Sequence, residues 1–180
     1  TVQPTDGGGD EPTDGEVVYR LNTGGDEIAA TDDGPDWAAA DATHQYLVEG
    51  GDIAGPQPYT VGGVDDSVPS STPTAVFETE LYDPAEEPPM QWEFPTDDGA
   101  TYEVRLYFHD GWDGTSAVGD RVFNVSVEDQ QVLSNFDVIA TSGDQTAAME
   151  AFPVASAGTI HVEFTAAAAE NPQVNAIEAV

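Results

Sequence analysis

Residues 102–109 read YEVRLYFH and residues 121–127 read RVFNVSV. In the first stretch Tyr102, Val104, Leu106 and Phe108 fall on one side, and Glu103, Arg105, Tyr107 and His109 on the other. In the second, Phe123, Val125 and Val127 oppose Val122, Asn124 and Ser126. Two-residue alternation marks a strand with one buried face. The pattern predicts two core strands whose second set of side chains faces outward. Between them, HDGWDGTSAVGD at 109–120 is too polar to bury. Binding residues concentrate on loops held by a rigid scaffold. Trp112, at the crown of this loop, is therefore the first candidate.

Further short strands are expected on both sides of this pair. They are Val17–Leu21, Ala75–Tyr82, Met90–Phe94, Val132–Leu133, Phe136–Ile139, Met149–Val154, Thr159–Thr165 and Val174–Val180. EDQQ at 128–131 reads as a tight hairpin turn. Many short strands separated by turn signals point to an antiparallel sandwich or barrel. The 18 Gly and 13 Pro favour turns over long helices. Residues 26–74 form a loop-rich excursion, which in a compact domain is functional or wraps the body. Trp37, Tyr46 and Tyr59 are expected to pin it. The Ala-rich stretch Trp37–Leu47 predicts a turn or two of helix. Residues 1–16, TVQPTDGGGDEPTDGE, read as a disordered, flexible acidic linker, leaving 17–180 as one domain. The start on Thr1 reads as a processed chain or a fragment of a larger architecture.

Charge is the strongest compositional signal. There are 35 Asp plus Glu, three Arg and no Lys, for a net charge of −32. Such a chain repels nucleic acid and anionic lipid. A hydrophobic fraction of 39% with three Trp, six Tyr and seven Phe argues for a folded core rather than disorder. At about 1 M salt the Debye length falls to about 3 Å, which removes most repulsion between surface carboxylates. The composition predicts a halophilic, archaeon-like source. No apolar run approaches the roughly 20 residues that span a bilayer, so no membrane insertion is expected. The absence of Cys excludes disulfides, thiolate catalysis and Cys-ligated zinc.

Several motifs now combine. They are YRLNTGG at 19–25, Trp37, YEVRLYFHD at 102–110, GDRVFNVSV at 119–127, NFDV at 135–138 and NPQVNAIEAV at 171–180. In this order and spacing, from about Val17 to Val180, the chain resembles the malectin domain family. The resemblance implies an all-β, jelly-roll-like antiparallel sandwich with long irregular loops that binds carbohydrate. The animal namesake of the family binds glucose disaccharides. Related modules are joined to glycoside hydrolases and to plant and archaeal surface proteins. The namesake's sugar contacts are loop aromatics at one end plus one acidic residue. By motif, Phe77 and Tyr82 of VFETELY, Trp112 after Phe108, and Glu170 before Asn171-Pro172 take those places. Tyr46 matches an early loop tyrosine. Glu170 stands where the family has Asp, and Asp113 where a second aromatic would follow Trp112. AAAA at 166–169 replaces tyrosines.

A sugar presents an apolar C–H face and a rim of hydroxyls, so its site needs an aromatic platform beside carboxylate or amide acceptors. Trp112 with Asp110, Asp113 and Glu170 would supply both. By alternation with Thr79 and Leu81, Phe77 also reads as a core residue. Trp37 and Trp92 read as packing residues. Arg20 and Arg121 are expected to pair with buried or clustered carboxylates, and Arg105 across strands.

No cofactor is expected, although Asp110, Asp113 and Asp120 are oxygen ligands of the kind Ca²⁺ takes. His44, His109 and His161 lack metal-site spacing. No nucleophile elbow, Cys or phosphate-binding loop is present, so no enzyme is expected. Asn124-Val125-Ser126 is an N-glycosylation sequon on the outward face. The expected partner is a glycan or polysaccharide met outside the cell or on its surface. The alternative is a structural domain of a surface layer, filament or adhesin, contacting neighbouring domains or subunits.

Overall fold

A computed structural model describes residues 15–55, 58–85 and 87–180. All but Gly15 and Glu16 of the expected linker lies outside the described residues. In chain order the strands are β1 (Tyr19–Thr23), β2 (Ala38–Ala40), β3 (Leu47–Glu49), β4 (Gly63–Val64), β5 (Leu81–Tyr82), β6 (Met90–Pro95), β7 (Thr101–Phe108), β8 (Val122–Val127), β9 (Gln130–Phe136), β10 (Thr146–Ala155), β11 (Thr159–Ala169), β12 (Gln173–Val174) and β13 (Ala176–Ala179). One short helix, α1, spans Val138–Ser142.

Two sheets face each other. The first has six strands in the order β2-β1-β13-β7-β10-β4, and the second five in the order β3-β6-β11-β8-β9. Pairing is antiparallel except at the two margins of the larger sheet, where β2 and β4 run parallel to their neighbours. The alternation in 102–109 and 121–127 decides what lies between. Val104, Leu106 and Phe108 from the larger sheet meet Phe123, Val125 and Val127 from the smaller. Trp92, Phe94, Ile160, Val162 and Phe164 join them in one buried cluster. Burying each such side chain contributes about 1.5–3 kcal/mol. Glu128 and Asp129 take φ of 50° and 59°, the left-handed pair that a two-residue hairpin turn requires.

The outward side of β7 departs from expectation. Tyr107 and His109 are fully buried. Two parts of the excursion, Ile28 to Trp37 and Val61 to Phe77, pack across the outer face of the larger sheet and build a second apolar cluster there, while β3 joins the smaller sheet. It contains Trp37, Val68, Val76, Phe77, Tyr107, Ala147 and Ala176. The excursion is a wrapping layer, which period-two patterning in β7 cannot reveal. Under this layer Glu178, directly opposite Arg20 and Arg105 in the sheet, receives both guanidinium groups and the Tyr107 hydroxyl.

Three local readings are corrected. Trp37–Leu47 is not helical but holds β2, turns and the start of β3. Trp37 pairs with Ile28 across an isolated bridge, which extends the backbone there. The 75–82 stretch is a 3₁₀ turn at Thr74–Phe77 followed by β5. Pro73 starts that turn by accepting from the Val76 amide. Phe136–Ile139 is not one strand. Asp137 caps α1 by accepting from the Ala140 amide at 3.0 Å.

Candidate functional site

The loop joining β7 to β8 folds back on itself. Thr115 donates its amide to the Trp112 carbonyl at 2.9 Å, and its hydroxyl to Asp110 Oδ1 at 2.6 Å. A Cβ on Gly114 would stand 2.4 Å from the indole, so only glycine lets the ring lie over this turn. The indole remains 44% exposed.

A second turn approaches from β11. Its alanine run at 166–169 shifts register against β8, from Ala166↔Phe123 to Ala169↔Val122. Bulges of this kind re-aim the side chains that follow. Glu170 then leaves the strand at φ 53°.

Arg121 ties the two turns together. Its Nε donates to Asp110 Oδ2 at 3.1 Å, and its Nη1 to the Asn171 carbonyl at 3.0 Å. Asp110 is 2% exposed, and burial pushes its carboxyl up; Arg121 and Thr115 pull it partly back. Gln173 and Asn175 clamp the same end from behind. Gln173 donates to the His109 carbonyl at 3.0 Å. Asn175 accepts the His109 amide at 2.7 Å and donates to the Thr79 carbonyl at 2.8 Å. The NPQVN stretch is thus a brace behind the loops.

These turns enclose a cleft of about 370 Å³ lined by Tyr59, Glu80, Tyr82, Trp112, Arg121, Glu170 and Asn171. Small-ligand sites fall at roughly 300–1,000 Å³. Tyr59 and Trp112 also border an adjoining depression of about 450 Å³ that reaches Gly111, Asp113 and Gln145. Three aromatic residues, two acids, an arginine and an amide therefore converge on one opening. Burial pushes the Tyr59 hydroxyl up to about 12, with Glu80 adding to the rise. It stays a neutral donor at physiological pH.

Of the six expected sugar contacts, Trp112, Tyr82 and Glu170 meet in this cleft. Asp110 lies beneath it, with one oxygen on Thr115 and the other on Arg121. Phe77 is fully buried in the outer apolar cluster. Tyr46 packs against Tyr19 and Phe94 beside the central core. Tyr59, Glu80, Arg121 and Asn171 are cleft residues that the motifs did not assign as contacts. Tyr59 reads as a loop anchor and Arg121 as structural. Glu80 is one acid among 35 Asp and Glu, and alternation with Phe77, Thr79 and Leu81 puts it on the opposite face.

Asp120 accepts the Ala117 amide at 3.0 Å, and Asp113 the Gln145 side chain at 3.4 Å. Among the described residues no group of three or more His, Cys, Asp or Glu is arranged to hold a metal ion. Asn124, on β8, accepts the Asn135 amide at 2.8 Å. No helix among the described residues is long and apolar enough to cross a membrane.

A β-sandwich whose loops gather aromatic faces, acids and an amide into one open cleft has the architecture of a ligand-binding module. The chain belongs to the malectin domain family, whose model matches residues 17–177. The receptor-like protein kinase FERONIA of Arabidopsis thaliana is 31% identical over 152 residues, which are 73% of this chain and 16% of that protein.

Solved structures share the fold. The plant receptor-like kinase FER aligns at 21% identity with a TM-score of 0.77, over 91% of this chain and 48% of that one. The ANX1 ectodomain from Arabidopsis thaliana aligns at 17% identity with a TM-score of 0.78, over 91% and 47%. FER bound to the plant peptide RALF23 and LLG2 aligns at 22% identity with a TM-score of 0.75, over 91% and 48%. The chain spans about half the length of these solved chains.

Proposed function

We propose that this domain is a non-catalytic carbohydrate-binding module of an extracellular or cell-surface protein from a halophilic source. The observation that carries this reading is the convergence of Trp112, Tyr59 and Tyr82 with Glu170 and Asn171 in one cleft. The indole offers a flat apolar face to sugar C–H groups, and the acid and amide take the hydroxyls. The adjoining depression shared by Tyr59 and Trp112 gives room for more than one sugar residue. The ligand is then an oligosaccharide rather than a single sugar.

Titration of gluco-oligosaccharides and surface glycans in about 1–3 M KCl tests the reading. Saturable binding that Trp112→Ala weakens supports it. Uniform absence of binding overturns it.

A second reading is a protein-facing role. The solved complex of FER with RALF23 and LLG2 favours it, as a relative of this fold meeting a peptide and a protein partner. On this reading the domain is a building block of a surface layer, filament or adhesin. Assemblies in negative-stain images of the same preparation, with no saccharide binding, would select it over the first.

A further inference from the structure

Glu80 is 1% exposed, lines the cleft, and has one carboxyl oxygen, Oε2, that is fully buried without a hydrogen-bond partner among the described residues. Buried polar groups left unpaired cost about 1–3 kcal/mol, so an unpaired carboxyl in the wall of a binding cleft points to a partner that arrives with the ligand. Its neighbourhood narrows what that partner is. Arg121, at the start of β8, is already held by Asp110 and the Asn171 carbonyl. Asp110 and Arg121 offset each other's charge beneath the cleft. Tyr59 and Tyr82 line the cleft beside Glu80, and Glu170 stands exposed at the rim. The floor therefore presents no free charge when the Glu80 carboxyl is protonated.

We propose that Glu80 is the specificity-determining residue of the cleft: its carboxyl hydrogen-bonds a hydroxyl of a neutral saccharide residue. The inference rests on the carbohydrate-binding reading. An uncharged carboxyl offers one O–H donor and a carbonyl acceptor, the complement of a sugar hydroxyl. Burial pushes Glu80 up to about 8; Arg121 opposes the rise and Asp110 adds to it. The protonated form therefore prevails at neutral pH. Ionisation removes the donor and places a desolvated carboxylate against the ligand. Affinity is then full below about pH 8 and lost above it. A uronic acid, which brings its own negative charge to this floor, is rejected.

The test uses the whole domain in molar KCl, titrated with short neutral gluco-oligosaccharides, their deoxy analogues and oligouronates. Wild-type affinity is expected to fall about tenfold between about pH 7 and about pH 9. Glu80→Ala is expected to lose about 10–100-fold at neutral pH. Glu80→Gln, which keeps a donor and an acceptor, is expected to bind with a flat pH profile.

A saccharide that binds wild type and Glu80→Ala alike, with no pH dependence, overturns the role of Glu80 and leaves the carbohydrate reading standing. Tighter binding of oligouronates than of neutral sugars overturns it in the same way. No saccharide binding at any pH overturns both. Circular dichroism of each variant confirms that a lost signal is not lost folding.

Discussion

Arg20 and Glu178 lie 158 residues apart in the chain and meet as a buried pair in which two arginine donors share one carboxylate oxygen. Nε and Nη2 of the arginine reach Oε1 at 2.9 and 2.6 Å. The pair closes the larger sheet where its first strand meets its last. Arg105 Nη1 and the Tyr107 hydroxyl hold the other carboxylate oxygen at 3.3 and 2.7 Å. The Arg20 guanidinium also lies over the Trp37 ring, 4.8 Å from its centroid. Charge, aromatic face and wrapping layer are thus joined at one point.

Glu178→Ala leaves two arginines in the interior without their shared counter-charge. Breaking a buried pair by removing one partner costs about 3–5 kcal/mol. Urea denaturation should show that loss with an unchanged m-value. A shift under about 0.5 kcal/mol, the range of ordinary surface changes, would show that the network contributes little.

Phe77 and Trp112 should behave as opposites. Phe77→Ala empties a fully buried site and is expected to lower stability by about 3–5 kcal/mol while sparing ligand affinity. Trp112→Ala removes an exposed ring, so its melting point should move little. Its saccharide affinity should fall about 10–100-fold. Paired calorimetry and binding titrations separate the two. The reverse pattern would make Trp112 an anchor of its loop.

Glu80 gives stability a pH dependence of defined sign. Its folded-state value, about 8, lies above the ordinary 4.5. Between these values the native state holds a proton that the unfolded chain has released. Stability therefore falls as pH rises through that window. Glu80→Gln should remove this part of the slope and leave the variant more stable than wild type above about pH 8, by up to a few kcal/mol. Denaturation of both proteins at about pH 5, 7 and 9 reads the difference. Parallel curves would mean that Glu80 is ionised in the native state.

Salt should govern folding. With −32 net charge, self-repulsion weakens the compact state until counterions screen it. The melting point is expected to climb steeply between about 0.1 and 2 M KCl. It should climb less in a variant with about ten exposed acids changed to amides. A salt-insensitive melting point would remove the case for a halophilic source.

The central sandwich was legible in the sequence because one face of each core strand is apolar and the other is not. The closing motif was legible too, and its spacing places Glu170 where the turn after β11 delivers it. What escaped reading depends on contacts distant in sequence. Tyr107 and His109 share a register with Glu103 and Arg105, yet they lie inside because a segment some 30 residues upstream covers them. Nothing in β7 itself carries that information. Asp110 lies beside Trp112 in sequence, but its oxygens are consumed by Thr115 and Arg121. Glu80 escaped for the opposite reason: in so acidic a chain another glutamate carries little signal, and only burial sets it apart.

All three arginines of the chain are spent internally, on Glu178, Asp32 and Glu103 near the wrapping layer and on Asp110 beneath the cleft. The exterior consequently carries carboxylates with no fixed side-chain cation among them. In dilute buffer two such bodies push each other apart in every orientation. Close contact between copies, or with an acidic neighbour, then depends on mobile ions bridging the gap. Brine acts on this molecule as an adhesive as well as a solvent.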